Sequence, residues 1–495
     1  MTSAIPFQHL PSNIRAPLFY AELDNSQANT SAQTQRTLIV GQMLTAGSAS
    51  PGVPVQAMSV AAAKALGGVG SIIAGMAAAY RASDPTGEVW LLPLLDDGSA
   101  AAATGSVALT GTTAVTGTVS LYIAGQPLSV AIASGQTAAQ AATTIGAAIT
   151  AAADMPVTAS VSSGTITLTA KNKGFVGNDI DIRLNYQGSA AGEFLPAGLS
   201  ATVTAMSGGS VNPSLTQPLV NLQDMSFDFI VMSLNDTTST AAMKAFLGEV
   251  SGRWSPLQQL YGGTFYGLRG TSGTAAAWGA ALNDQHAVVL PAYDSPSPSW
   301  VWAADLAGTA AMSLRADPAL PLQYLTLSTV LSPPIASRWP LVLRNQMLYS
   351  GCSTYTVDAN GSVTIENIVT TYVTNGQGQA DNSYLEVETL YTLAYALRFM
   401  RARVQANYSR KKLAADGTRL IPGTNVVTPS TIRADIIAAY RELEAAGITQ
   451  QSDVFSANLV VQQNVQNPNR VDVLWPAILV DQLRVFALLA QFRLS

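Results

Sequence analysis

The sequence predicts a mixed α+β, multidomain chain in which an α/β core carries a mainly β inserted domain and is flanked by extended N- and C-terminal arms. Three observations carry this expectation. Apolar runs of the buried-strand type alternate with capped helical stretches in two separate blocks. A nearly uncharged stretch with strand-like alternation separates the blocks, and both ends of the chain read as extended.

The first 35 residues hold Pro6, Pro11 and Pro17, a spacing that forbids a helix and favours an extended arm, then the strand-like run Leu18-Phe19-Tyr20-Ala21-Glu22-Leu23. From Arg36 the pattern becomes Thr37-Leu38-Ile39-Val40-Gly41 as a buried strand, a helix to Leu66 capped by Ser59, and another to Ala82 capped by Ser71 and stopped by Asp84-Pro85. Val89-Trp90-Leu91-Leu92 is the next strand, so a parallel sheet is expected.

After Asp96-Asp97-Gly98 the composition shifts to Ala, Thr, Ser, Gly and Val, with Asp154 the only charged residue from Gly98 through Ala170. Runs such as Val119-Ser120-Leu121-Tyr122-Ile123 alternate between Gly turns, and residues 137–153 read as one helix. Residues 98–210 are therefore expected to form an inserted β-rich outer domain between core segments 36–97 and 211–454, with 455–495 as the C-terminal arm.

In the second core block, strands are expected at 227–233, 264–268 and 287–290, and helices at 238–247, 273–282 and 300–314. Thr354-Tyr355-Thr356-Val357 and Val363-Thr364-Ile365 flank an Asn360-Gly361 pair suited to a tight hairpin turn. Leu390, Leu393, Leu397, Met400 and Val404 recur at helical spacing, predicting a helix over 383–412. A further helix is bounded by Thr428, Pro429 and Gly447. In the last forty residues Leu459 and Val461, then Val471 and Val473, alternate with their neighbours, which predicts strands and an extended tail. Such a tail needs a sheet to join, and from the residues alone that sheet is a neighbouring subunit's or its own domain's.

Only 11% of the 495 residues are charged, so buried interface is expected to be extensive. A net charge of -5 provides no basic field for a phosphate backbone, so direct nucleic-acid binding is not expected. Cys352 stands alone, which excludes an internal disulfide and a thiolate zinc cage. Met1-Thr2-Ser3-Ala4-Ile5-Pro6 lacks the pattern of a secretory signal, and Asp481 and Arg484 interrupt the most apolar stretch near the C-terminus, so neither export nor membrane insertion is expected.

Chemistry-bearing patterns are sparse. His9 and His286 do not form a ligand pair. Gly67-Gly68-Val69-Gly70-Ser71 lacks the lysine of a phosphate cradle and reads as an interhelix loop with a weak anion site at the Ser71 helix start. Ser409-Arg410-Lys411-Lys412 matches S-x-x-K without its partner motifs. Asp96-Asp97 and Glu386 with Glu388 read as solvated carboxylates. No catalytic residue, cofactor or metal is expected. The basic residues Arg398, Arg401, Arg403, Arg410, Lys411 and Lys412 have two readings, complement to a helix dipole or docking patch for an acidic partner.

Asn467-Pro468-Asn469-Arg470-Val471-Asp472-Val473-Leu474-Trp475-Pro476 with Leu483-Arg484-Val485-Phe486 resembles the C-terminal signature of contractile tail sheath proteins of the Mu-like phage family. So do Lys412-Leu413-Ala414-Ala415-Asp416-Gly417-Thr418-Arg419, Pro429-Ser430-Thr431-Ile432-Arg433-Ala434 and Thr86-Gly87-Glu88-Val89-Trp90 with Pro93, and the match runs in order along essentially the whole chain. Trp475 departs from the family by standing where an aliphatic residue is frequent. The resemblance implies a structural subunit that forms a helical homopolymer around an inner tail tube protein, meets baseplate and tail terminator proteins, and contracts to drive the tube through the host envelope for genome delivery. It implies location in the virion tail, with assembly in the host cytoplasm. Arms adding strands to neighbours would place Leu18, Tyr20, Leu23, Val471, Val473, Leu483, Val485, Phe486, Leu488 and Phe492 at intersubunit contacts, and the six basic residues toward the tube. The other readings are a sheath of a phage-derived injection device or bacteriocin, a β-rich surface adhesin, and an α/β enzyme.

Overall fold

A computed structural model describes residues 35–419 and 423–493. The expected N-terminal arm strand, with Leu18, Tyr20 and Leu23, lies outside the described residues.

The chain enters the core as β1 (Arg36–Gln42), β2 (Val55–Gln56), α1 (Val60–Gly67), α2 (Ile72–Ser83) and β3 (Glu88–Leu94). Leu38, Ile39 and Val40 are all buried, as a strand covered on both faces requires. Ser59 Oγ accepts from Ala62 N–H and Ser71 Oγ from Ala74 N–H, so the serines start α1 and α2 by satisfying orphan donors.

The insertion contains β4 (Thr104–Gly111), β5 (Gly117–Ile123), β6 (Gln126–Ile132), α3 (Ala138–Ala151), β7 (Val157–Ser162), β8 (Thr165–Ala170), β9 (Ile182–Leu184) and β10 (Leu199–Ser207). Its strands form two antiparallel sheets, ordered β10-β4-β8-β7 and β6-β5-β9. A Thr137/Gln140 capping box starts α3, which buries Ala141, Ala142, Ile145 and Ile149. Ala101 bridges Ser210 where the insertion begins and ends. Its buried side chains are continuous with the core's. Asn172 fastens the two: its Nδ2 donates to Met43 O at 2.9 Å and its Oδ1 accepts from Ile72 N–H at 3.1 Å. Arg269 adds an ion pair to Asp181 at 2.7 Å.

The core resumes with α4 (Thr216–Val220), β11 (Phe229–Met232), α5 (Thr237–Leu247), β12 (Gly263–Leu268), α6 (Ser272–Leu282), β13 (Ala287–Pro291) and α7 (Ser299–Ala316). The central sheet is ordered β13-β12-β11-β1-β3-β2 and is parallel except for β2 on β3. Leu38 of β1 pairs with Ile230 on one side and Trp90 on the other, which stitches together residues on either side of the insertion. Helix α7 packs tightly on this sheet: a Cβ on Gly267 would lie 1.9 Å from Ser299 O, so glycine is required there.

Beyond it, β14 (Thr326–Leu327), α8 (Leu341–Tyr349), β15 (Thr354–Val357) and β16 (Val363–Asn367) supply a small antiparallel sheet ordered β14-β16-β15. The β15–β16 hairpin forms, but not through a two-residue Asn-Gly turn. Asp358 Oδ1 accepts from Asn360 N–H and Ser362 N–H, and Gly361 alone of the loop takes positive φ.

The C-terminal part holds α9 (Val387–Tyr408), β17 (Lys412–Leu413), β18 (Val426–Val427), α10 (Pro429–Ala445), α11 (Ser452–Asn458), β19 (Val460–Gln463) and β20 (Val471–Leu474). Helix α9 is shorter than its periodicity suggests at both ends. Glu386 bridges Val369, and Lys412 N–H donates to Asn425 O at 2.7 Å, so those backbone groups are committed elsewhere. The extended tail also starts later than expected, because residues 455–458 belong to α11. Tyr440 stacks on Phe455 with centroids 3.7 Å apart, and Trp475 meets both edge-on, so α10, α11 and the chain after β20 share a small core. No helix among the described residues is long and apolar enough to cross a membrane.

Candidate functional site

His286 is buried, tilted against Trp254 with centroids 4.9 Å apart, and its Nδ1 lies 3.3 Å from Asp284 Oδ1. Burial pushes the Cys352 thiol up to about 12. The start of α2 is filled by the chain itself, since Ser71 takes the Ala74 N–H and Asn172 the Ile72 N–H. A cleft of about 340 Å³ between the insertion and helices α2 and α7 is bordered by the Lys64–Asp154 ion pair at 2.7 Å. Among the described residues no group of three or more His, Cys, Asp or Glu side chains could hold a metal ion.

The C-terminal tail has the most distinctive geometry. After Trp475, Ile478 O accepts from Gln450 N–H at 2.9 Å and Val480 N–H donates to Ile448 O at 3.2 Å, so the chain is held to its own small domain this far. Three residues later it reaches the main core. Gln323 Nε2 donates to Leu483 O at 3.1 Å, and Arg484 Nη2 donates to Glu386 Oε2 at 2.8 Å and Glu388 Oε2 at 2.7 Å. Glu386 and Glu388 are thus not solvated carboxylates. Glu388 is fully buried, and burial raises the Glu386 pKa while Arg484 pulls it back.

Past Arg484 the described tail belongs to no helix or strand. There Val485, Phe486, Leu488, Leu489 and Phe492 are between 78% and 84% exposed. Such a run of large apolar side chains is the surface expected of a segment that seats on something else. Leu483 also exposes its side chain. Val471 and Val473 are placed differently: in β20 they pair with Gln463 and Val461 of the same chain.

The six basic residues divide. Arg398 is paired with the buried Asp228, and its Nη2 donates to Tyr261 O at 2.9 Å, pinning α9 to the start of β11 in the middle of the central sheet. Arg403 is paired with Asp435 at 2.8 Å and Glu442 at 3.0 Å on α10. Arg401, Arg410, Lys411 and Lys412 are exposed, with Lys411 Nζ 3.1 Å from Asn425 Oδ1. Arg484, which in the sequence is only a charge interrupting an apolar stretch, is the side chain that ties the tail to the core. Its signal is a single cation inside the apolar run Leu483-Arg484-Val485-Phe486, since a charge kept there asks for a partner.

Residues 208–371 match the phage tail sheath protein central domain and 379–493 the phage tail sheath C-terminal domain. A Haemophilus influenzae protein described as a Mu-like prophage FluMu tail sheath protein is 40% identical over 491 residues, covering 99% of each chain. Sheath tail proteins from Desulfitobacterium hafniense and Listeria innocua superpose with TM-scores of 0.49 and 0.47, each at 13% identity. The first alignment covers 95% of this chain and 97% of the other, the second 90% and 92%.

Proposed function

The chain belongs to the tail sheath proteins of Mu-like phages and is a structural component of the phage tail, and on that premise we propose that it polymerises helically around an inner tail tube through its C-terminal tail. The observation that carries this is the exposed apolar run from Val485 to Phe492, which leaves the folded body at Arg484 without a sheet of its own. Added as a strand to a neighbour, it would bury these side chains and gain backbone hydrogen bonds along a flexible tether. Contacts of this head-to-tail kind generate a filament when their rotation does not close.

Contraction, in this reading, is a change of packing between subunits that were trapped in a higher-energy arrangement at assembly in the host cytoplasm. The continuous core shared by insertion and α/β sheet suits a subunit that moves as one body, with tails keeping neighbours linked. The exposed cations Arg401, Arg410, Lys411 and Lys412 would face an acidic stripe on the tube, whereas Arg398 and Arg403 serve inside the subunit. Baseplate and terminator proteins would meet the two ends of the polymer. Negative-stain images of the purified full chain, alone and with tube protein, are the test. Striated tubes are expected, and discrete particles at every concentration with tube protein present would overturn the reading.

A further inference from the structure

Glu388 lies in the first turn of α9, fully buried, with its Oε1 accepting from Leu322 N–H at 2.8 Å and its Oε2 held by Arg484. Glu386 adds a second carboxylate to the same nitrogen. Removing the guanidinium would leave a buried carboxylate without its counter-charge, which is strongly unfavourable. The tail therefore cannot leave this pocket for a neighbour unless another cation of the same shape takes its place.

The seating within one chain is also incomplete. A single nitrogen, Nη2, serves both carboxylates, while Nε and Nη1 are shut from solvent with no acceptor. Arginine does best when separate nitrogens meet separate oxygens in its planar fork, and buried donors left unpaired cost free energy. The cause lies in the approach: Asp481 and Gln482 alone separate Leu483 from Val480, whose N–H is fastened to Ile448 O. So short a tether restricts how the guanidinium turns.

We propose that the Glu386/Glu388 pocket is the receptor for Arg484 of a second copy of this chain, filled by the chain's own arginine in the dispersed subunit and by a neighbour's in the polymer. The proposal rests on residues 485–493 being the intersubunit connector. A subunit joining the polymer exchanges one buried ion pair for an equivalent one, so the exchange leaves no unpaired charge. A tail arriving along another path lacks the short tether and can use the unsatisfied nitrogens. Until then the latch holds the apolar run beside its own body. A lysine would not substitute, since a point ammonium cannot present a planar fork to two carboxylates.

Gln323→Cys and Leu483→Cys flank the pocket and leave its charges intact, and Cys352 is buried away from reagent. In this double variant, a short bis-maleimide is expected to link the two thiols within one chain when subunits are dispersed. In assembled tubes it should give a ladder of covalently joined copies after denaturation. Tubes that yield only the intrachain product overturn the exchange. A full-length wild-type chain that never forms tubes sinks the connector reading and the exchange with it, while the intrachain product would still register the latch. As a second arm, Arg484→Glu and Glu386→Arg subunits, each unable to assemble alone, are expected to form tubes when mixed. A silent mixture, with the double variant in one chain assembling, shows that the pair stays within the subunit and refutes the proposal.

Discussion

Three successive truncations separate the tail's roles. Cutting after Arg484 removes side chains that are mostly in solvent, so the change in unfolding free energy should stay within about 0.5 kcal/mol. Cutting after Asp481 also removes the guanidinium and strands Glu388. Breaking a buried pair costs about 3–5 kcal/mol, and the 15% exposure left to the Arg484 side chain argues for the lower end, about 3 kcal/mol. Cutting after Asn469 further deletes β20 and Trp475. Loss of a packed Trp costs about 3 kcal/mol or more, and each lost ladder hydrogen bond about 1 kcal/mol. Against a total of about 5–15 kcal/mol, the small domain around Tyr440 and Phe455 should then melt separately. Urea unfolding with calorimetry reads the stability, and negative-stain imaging reads assembly, which all three cuts should abolish. Tubes from the chain ending at Arg484 would refute the connector role of residues 485–493. Equal stability after the first and second cuts would refute the latch.

Changing Arg410, Lys411 and Lys412 together to Glu should leave the melting temperature within a few degrees and block assembly templated by the tube; normal tubes on the template would show that other residues hold it. Arg398→Ala should destabilise the chain by about 3 kcal/mol in urea unfolding because Asp228 is left buried and unpaired, whereas Arg401→Ala should be near neutral. Asp84 is fully buried; burial alone would raise its pKa, but Arg315 at 2.7 Å, Tyr80 and the Gly87 N–H outweigh that and hold it below the usual carboxylate range. Its contribution is therefore present above the ordinary aspartate pKa of about 4 and lost as the pH falls through the depressed value, so Asp84→Asn should flatten the acid limb of a melting-temperature profile.

The α/β core is readable from sequence because its signals are local. Runs such as Leu38-Ile39-Val40 and Phe229-Ile230-Val231 declare strands covered on both faces, and Ser59, Ser71 and Thr428 mark helix starts through their own side chains. What escapes is every feature whose cause is distant in the chain. Glu388 looks solvated until Arg484 arrives from 96 residues away, and Arg398 looks like surface charge until Asp228, 170 residues away, claims it. The start of α9 is lost to a bridge between Glu386 and Val369 that periodicity cannot foresee. Alternation at Val471 and Val473 correctly announces a strand without saying which strand it pairs with.

Helix α9 also gives the subunit a mechanical element. Its first half is embedded in the main core through Val387, Leu390, Tyr391 and Ala394, and Arg398 rivets it to Asp228 beside β11. Ala396, just before its midpoint, has Leu443, Ile448 and Trp475 packed on it, and its second half carries α10 through Arg403. At about 1.5 Å per residue, its 22 residues make a strut about 33 Å long. Tension that reaches Trp475 has an onward path with no loop in series: to α10, along α9, and into the middle of the central sheet. A pull between neighbours should turn the whole body as a lever rather than stretch it.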